Sequence, residues 1–268
     1  MEMPTQKDFL FYSHTGLGDY IIQNGLIRKL YNDLWFDYFY LMTKDVFLDQ
    51  IKFMYRDLDR IRFLVCPDDT WDCPTQMVAH QMFDASRAMK IKLFRWQFEP
   101  KVVEPSDDSL EYIHELYWYP CFGYSPSGRY DWFHLERDTK REEEVFSNIT
   151  GDNFSNDYIF VADDPSRGYE FDLSRVKDDY DCQVIRASDY LNYTLFDLLG
   201  VMEKAKSCHV MWSSFFILCD SLNPGFTKIY LHETYLNGGA GKITHLTPTA
   251  PAKFVYDKFL SSRNISLV

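Results

Sequence analysis

The 268-residue chain is short of positive charge: 28 Lys and Arg stand against 40 Asp and Glu, a formal net charge of −12. That balance excludes broad contact with nucleic acid or an anionic membrane surface, which needs clustered cations. A phosphate-bearing ligand must then be held by local donors, meaning a few arginines and helix N-termini. No run approaches the ~18 apolar residues needed to cross a bilayer. The opening residues, Met1 to Asp8, carry no apolar signal core. The six cysteines (Cys66, Cys73, Cys121, Cys182, Cys208 and Cys219) lack CxxC pairs and regular spacing. Reduced, mostly buried thiols are therefore expected. The seven histidines (His14, His80, His114, His134, His209, His232 and His245) show no helical ligand spacing, so no metal site is expected. Internal repeats and low-complexity tracts are missing too.

What is present begins with Phe9-Leu10-Phe11-Tyr12-Ser13-His14-Thr15-Gly16-Leu17-Gly18-Asp19. Phe9 to Tyr12 reads as a buried strand. After the two glycines a helix restarts, with Ile21, Ile22, Leu26, Ile27 and Leu30 on one broad face. Gly16 and Gly18 are expected to let the backbone turn tightly and approach a ligand closely. Asp19 falls in the first helical turn, where free N–H groups and the helix dipole favour negative charge. His14 and Asp19 thus flank the mouth of an open α/β sheet, where such folds bind ligands. The plain alternative is a turn followed by a helix cap.

The α/β rhythm continues. Strands are expected at Phe36–Met42, Ile61–Cys66 and Ile91–Phe98, and helices at Lys44–Leu58 and Pro74–Met89. Residues 99–136 mix prolines with a dense aromatic patch. With 22 Phe, 19 Tyr and 6 Trp in the chain, some aromatics are expected to line a cleft as well as fill cores. Phe133 to Ile149 reads as a solvated helix. Gly151 to Asp157 is turn-rich and marks the expected domain boundary, giving domains 1–151 and 152–268. Beyond it come strands at Tyr158–Ala162, Cys182–Ile185, Cys208–Met211 and Thr227–Leu231, with helices at Leu195–Lys206 and Phe215–Leu222.

Two features of this second half bear on chemistry. Ser213-Ser214 opens an apolar helix directly after a strand, where hydroxyls and free N–H groups make an anion site suited to a diphosphate. A simple helix cap is the competing reading. Arg167 lies in the turn Asp163-Asp164-Pro165-Ser166-Arg167-Gly168, placed to reach phosphate oxygens or to make a surface salt bridge.

Together these stretches resemble the GT-B glycosyltransferases, whose members use nucleotide sugars. Gly-Leu-Gly-Asp19 is similar to the Gly-Asp element of the heptosyltransferase-like members. Ser213-Ser214-Phe215, followed by Asp220, is similar to the Ser-Ser-Phe element of heptosyltransferase-like and fucosyltransferase-like members. Arg167 resembles the phosphate-binding arginine of the fucosyltransferases. Ala162 stands where relatives often carry His, and a single Arg replaces their paired basic residues. A UDP-sugar such as UDP-xylose is accordingly favoured over GDP-fucose, and the chain also resembles the small xylosyltransferase-like proteins of large algal viruses.

The resemblance implies two Rossmann-like domains facing a cleft: an N-terminal acceptor domain and a C-terminal nucleotide-sugar domain, whose last helix can pack back on the first. It implies transfer to a glycan hydroxyl with inversion, and neither cofactor nor metal. Asp19 is the first choice of base and His14 the second. Gly16, Gly18, Arg167, Ser213, Ser214, Phe215 and Glu233 would bind the donor, with Glu233 on the ribose or merely a solvated loop acid. The partners implied are the nucleotide sugar and the glycan acceptor, without nucleic acid. The expected location is the cytoplasm, the host's if the chain is viral. The triplets at Asn148, Asn153, Asn192 and Asn264 are then chance matches to the glycosylation pattern.

Three rivals remain. A metal-dependent GT-A enzyme needs Asp-x-Asp at the end of a strand, but Asp57-Leu58-Asp59 and Asp179-Tyr180-Asp181 each precede one. A methyltransferase built on Gly16-Leu17-Gly18 needs an acid at the end of the second strand, where Thr43 stands and Asp45 lies slightly beyond. A non-catalytic binding or scaffold protein of the same fold would bind nucleotide without turnover.

Overall fold

The computed structural model describes residues 8–12, 16–66, 88–92, 118–151, 157–164, 181–211, 213–222, 228–232 and 265–267. They fall into two compact units, one reaching Glu136 and the other starting at Arg137.

The first unit runs β1 (Asp8–Tyr12), α1 (Leu17–Asp33), β2 (Phe39–Lys44), α2 (Leu48–Met54), β3 (Ile61–Cys66), β4 (Ala88–Lys92) and a single turn, α3 (Gly128–Asp131). All four strands are parallel, in the order β3-β2-β1-β4. Phe9 and Phe11 alternate onto one face of β1 and are fully buried. Phe9 packs against Phe39 with tilted rings 4.7 Å apart, and Phe39 meets Phe36 edge-on at 5.4 Å. This aromatic layer is the core between β1, β2 and α1.

Helix α1 is buried on nearly every side, including Gln23 and Asn24, rather than along one stripe. The cause is a second cover. The Tyr119 hydroxyl accepts the Leu26 N–H at 3.0 Å and donates to the Ile22 carbonyl at 2.9 Å, so it stands between two groups of the same helix. A Cβ on Gly25 would lie 2.4 Å from the Gly128 carbonyl oxygen, so only glycine admits this approach. Asn24 Oδ1 accepts the His134 N–H (3.0 Å) and Arg28 Nε (3.2 Å), and Arg28 holds both oxygens of Asp57 at 2.7 and 2.9 Å. Asp57 and Asp59, the former Asp-x-Asp candidate, are thus engaged by Arg28 and by the Tyr31 hydroxyl.

The second unit runs α4 (Thr139–Thr150), β5 (Tyr158–Ala162), β6 (Gln183–Arg186), α5 (Leu199–Lys204), β7 (Ser207–Met211), α6 (Ser214–Leu222), β8 (Ile229–His232) and β9 (Ile265–Leu267). Its five strands are also parallel, in the order β6-β5-β7-β8-β9. β5 and β7 are buried at every position, as a parallel sheet covered on both faces requires. Tyr158 donates to the Val201 carbonyl at 2.5 Å, tying β5 to α5. Arg137 binds Glu142 and Glu203 together, joining α4 to α5 (Nε to Glu142 Oε1 2.9 Å; Nη2 to Glu203 Oε2 2.8 Å). These carboxylates hold the guanidinium charged, with its pKa raised further against the opposing pull of burial. That network places α4 in the second unit, so the division falls before this helix, not after it at Gly151.

Several expected boundaries move. β2 lies further along the chain, at Phe39–Lys44, and a 3-10 turn at Asp45–Phe47 precedes a shorter α2. β4 starts at Ala88, within the stretch assigned to a helix. α4 starts only at Thr139, because Asp138 caps it by accepting the Arg141 N–H at 3.0 Å. Thr194 and Asp197 bond each other reciprocally (2.8 Å from Thr194 N, 3.2 Å from Asp197 N), holding a turn where the helix was to begin. The last described residues form β9, an edge strand. The body of the expected Pro74–Met89 helix and the aromatic stretch before Trp118 lie outside the described residues.

Candidate ligand site of the second unit

The strand order of the second unit has a topological switch point. From β5 the chain moves to one side, forming β6, then returns past β5 to form β7 on the other. Ligands of open α/β sheets bind beyond the carboxyl ends of the strands at such a point. Ala162 is in register with Val210, so the residues after β5 and those after β7 emerge side by side. The first group is Asp163 and Asp164, both buried; the second is Ser213 and Ser214 at the start of α6.

Ser213 was expected at an anion site, with a simple helix cap as the competing reading. Its carbonyl does begin the helix, accepting the Ile217 N–H at 3.1 Å. Its hydroxyl oxygen, however, is buried and has no hydrogen-bond partner. A buried hydroxyl left in this state costs about 1–3 kcal/mol. It lies at the N-terminus of a nine-residue helix, beside the switch point. Phe215, expected to face a donor, packs its ring against Phe160 at 5.8 Å and anchors α6 to β5.

Asp163 is held from the neighbouring strand. Arg186 Nη1 donates to both its oxygens, at 2.8 and 2.9 Å, and the Ser188 hydroxyl donates to Oδ2 at 3.2 Å. Sequence reading passed over this group. The one available signal was an arginine closing a short strand. Arg167 and Glu233 lie outside the described residues.

In the first unit the switch point lies between β1 and β4, and α1 begins beyond β1. The Asp19 carboxylate reaches back to accept the Gly16 N–H at 2.9 Å, closing the helix start. The capping reading therefore holds for Asp19, whatever else it does. Gly16 is extended (φ −79°) and Gly18 lies inside α1, so the expected tight glycine turn is not seen at either position. His14 lies outside the described residues.

Among the described residues no group of His, Cys, Asp and Glu is arranged to hold a metal ion. Likewise, no described helix is long and apolar enough to cross a membrane.

The fold and site define an α/β protein of two parallel-sheet units, the second with polar groups gathered at its switch point. No family model and no curated protein sequence matches the chain. Among solved structures, the chain is similar to a glycosyl transferase family 9 protein from Veillonella parvula. The TM-score is 0.48 and the identity 11%, over 84% of this chain and 80% of that one. A likeness of that degree assigns no activity.

Proposed function

We propose that the protein is a glycosyltransferase that takes a sugar from a nucleoside-diphosphate sugar. The observation that carries the reading is the buried, partnerless Ser213 hydroxyl at the start of α6, beside the switch point of a parallel sheet. The α6 N–H groups supply partial positive charge, and the hydroxyl supplies a directed bond to a diphosphate oxygen. The Gly-Asp19 and Ser213-Ser214-Phe215 motifs support the same class. A UDP-sugar such as UDP-xylose is favoured over GDP-fucose, because the sequence lacks the paired basic residues of the fucosyltransferase loop.

The proposed reaction is a single displacement without a metal. Asp19 removes the proton of an acceptor glycan hydroxyl, whose oxygen attacks the anomeric carbon. The bond from that carbon to the diphosphate oxygen breaks, inverting the configuration, and the diphosphate leaves with the electron pair. His14 is the second candidate for the base.

Titration calorimetry with UDP, GDP and S-adenosylmethionine, with and without chelator, tests the reading. Chelator-independent binding of UDP or GDP supports it, and hydrolysis of the cognate nucleotide sugar separates an enzyme from a binding protein. Binding of S-adenosylmethionine alone overturns it.

A further inference from the structure

Two buried thiols meet between β7 and α6, on either side of Ser213 in the chain. Cys208 is paired in register with Phe160, and the Phe160 ring meets that of Phe215 at 5.8 Å, so Cys208 lies on the face of the sheet that α6 covers. Cys219, on α6, is hydrogen-bonded to Cys208 through their side chains. The Cys208 thiol donates in turn to the Met202 carbonyl at 3.3 Å, which leaves its sulfur to accept the Cys219 S–H. Both are free thiols, 1% and 0% exposed. One buried cysteine is a small apolar filler; two in contact are also a dithiol, able to close to a disulfide. They stand five residues before Ser213 and six after it, so a bond between them closes a loop around the start of α6.

We propose that Cys208 and Cys219 are a redox-responsive pair, which a hydroperoxide converts to a disulfide that draws α6 onto β7 and shifts the Ser213 end of the helix. One thiol sulfur attacks the peroxide, breaking its O–O bond and giving a sulfenic acid and, from hydrogen peroxide, one water. The second sulfur attacks the first; the sulfur–sulfur bond forms, and the hydroxyl leaves as a second water with the proton of the second thiol. Two thiols and one hydrogen peroxide thus give one disulfide and two waters. Burial, then the bond and charge of Cys208, push the Cys219 thiol well up, so the pair is protonated and slow to react in the closed fold. Oxidation therefore proceeds when α6 opens locally. A disulfide holds its sulfurs about 2.05 Å apart, closer than hydrogen-bonded thiols lie, so reclosure does not restore the original seat of α6. The effect on ligand binding rests on the nucleotide-sugar reading; the disulfide itself does not.

The test treats the reduced full chain with hydrogen peroxide until the half-buried Cys182 is oxidised, and maps its peptides by mass. Melting temperature and affinity for UDP and GDP are measured before and after, on wild type, Cys208→Ala and Cys219→Ala. Wild type is expected to give a Cys208–Cys219 cross-linked peptide, reversed by dithiothreitol, and a melting temperature shift that the variants lack. Its affinity should fall about 10-fold, the loss of one hydrogen bond to a charged oxygen. Each variant should bind as reduced wild type does and show no such fall. Absence of the cross-link once Cys182 is oxidised overturns the inference. So does a cross-link that leaves the melting temperature unchanged, one that leaves affinity unchanged, or the same loss of affinity in either variant. If a variant does not fold, the peptide map and melting temperature of the wild type decide alone. A reduced wild type that binds neither UDP nor GDP removes the donor reading, while the cross-link and its shift in melting temperature still test the pair.

Discussion

Replacing Ser213 by alanine should make the ligand-free protein more stable and its nucleotide complex weaker. An N-cap serine ordinarily contributes about 0.5–2 kcal/mol through its bond to a helix N–H. Ser213 makes no such bond, since its buried oxygen has no partner. Deleting an unsatisfied buried hydroxyl relieves a cost of about 1–3 kcal/mol, part of which is returned as lost packing around one atom. The net expectation is a gain of about 1 kcal/mol, or a rise of about 2–4 °C in melting temperature for a unit of this size. In the complex, the same deletion removes a hydrogen bond to a charged oxygen, about 1.5–3 kcal/mol, or roughly 10- to 150-fold in affinity. The ligand-induced rise in melting temperature should therefore shrink from both ends. Thermal denaturation with and without UDP or GDP, together with calorimetry, measures both effects. A less stable variant would mean that the hydroxyl caps α6 in solution. Unchanged affinity would remove Ser213 from the anion site. Either result refutes the argument.

Three further expectations follow from the first unit. Asp19→Asn keeps an oxygen acceptor for the Gly16 N–H, so stability should change by less than about 0.5 kcal/mol. Nucleotide binding should persist while transfer is lost, and equal turnover would remove Asp19 from the base role. Gly25→Ala gains about 1 kcal/mol of helix propensity but drives a Cβ into the Gly128 carbonyl oxygen and against the Tyr119 hydroxyl. A net loss of about 2–4 kcal/mol in urea denaturation is expected, and a more stable variant would contradict the described approach. Burial raises the Asp57 pKa, but the bonds and charge of Arg28 outweigh it and hold the carboxyl below its ordinary value. The pair's contribution is thus complete above the ordinary carboxylate pKa of about 3.9 and disappears as pH falls through the lowered folded value. Asp57→Asn, which leaves Arg28 buried without its carboxylate, should cost about 2–3 kcal/mol at neutral pH, less than a fully buried pair because Asp57 is partly solvated. Its melting curve should converge with the wild type's in acid, and a gap that persists there would refute the assignment.

The sequence by itself determined several of the strands of this protein. β1, β3, β5 and β7 lie within a residue of their expected runs, because each is a short, mostly apolar run bounded by turn residues close by. The junction of β7 with α6 was legible for the same reason: Ser213-Ser214 between an apolar strand and an apolar helix is a local signal. Helix starts at Thr139 and Leu199 were missed because side-chain bonds of Asp138, Thr194 and Asp197 set them, and apolar periodicity does not register such bonds. Only the tertiary structure decided the strand order, and with it which side chains meet. Arg186 reaches Asp163 because β6 lies beside β5, and Asp163 emerges beside Ser213 because β7 lies on the other side. Tyr119 enters α1 across 93 residues of chain from Leu26. Whether the Ser213 hydroxyl bonds a helix N–H was likewise beyond any local pattern. It depends on which groups surround one buried oxygen, and those are assembled from strands far apart in the chain.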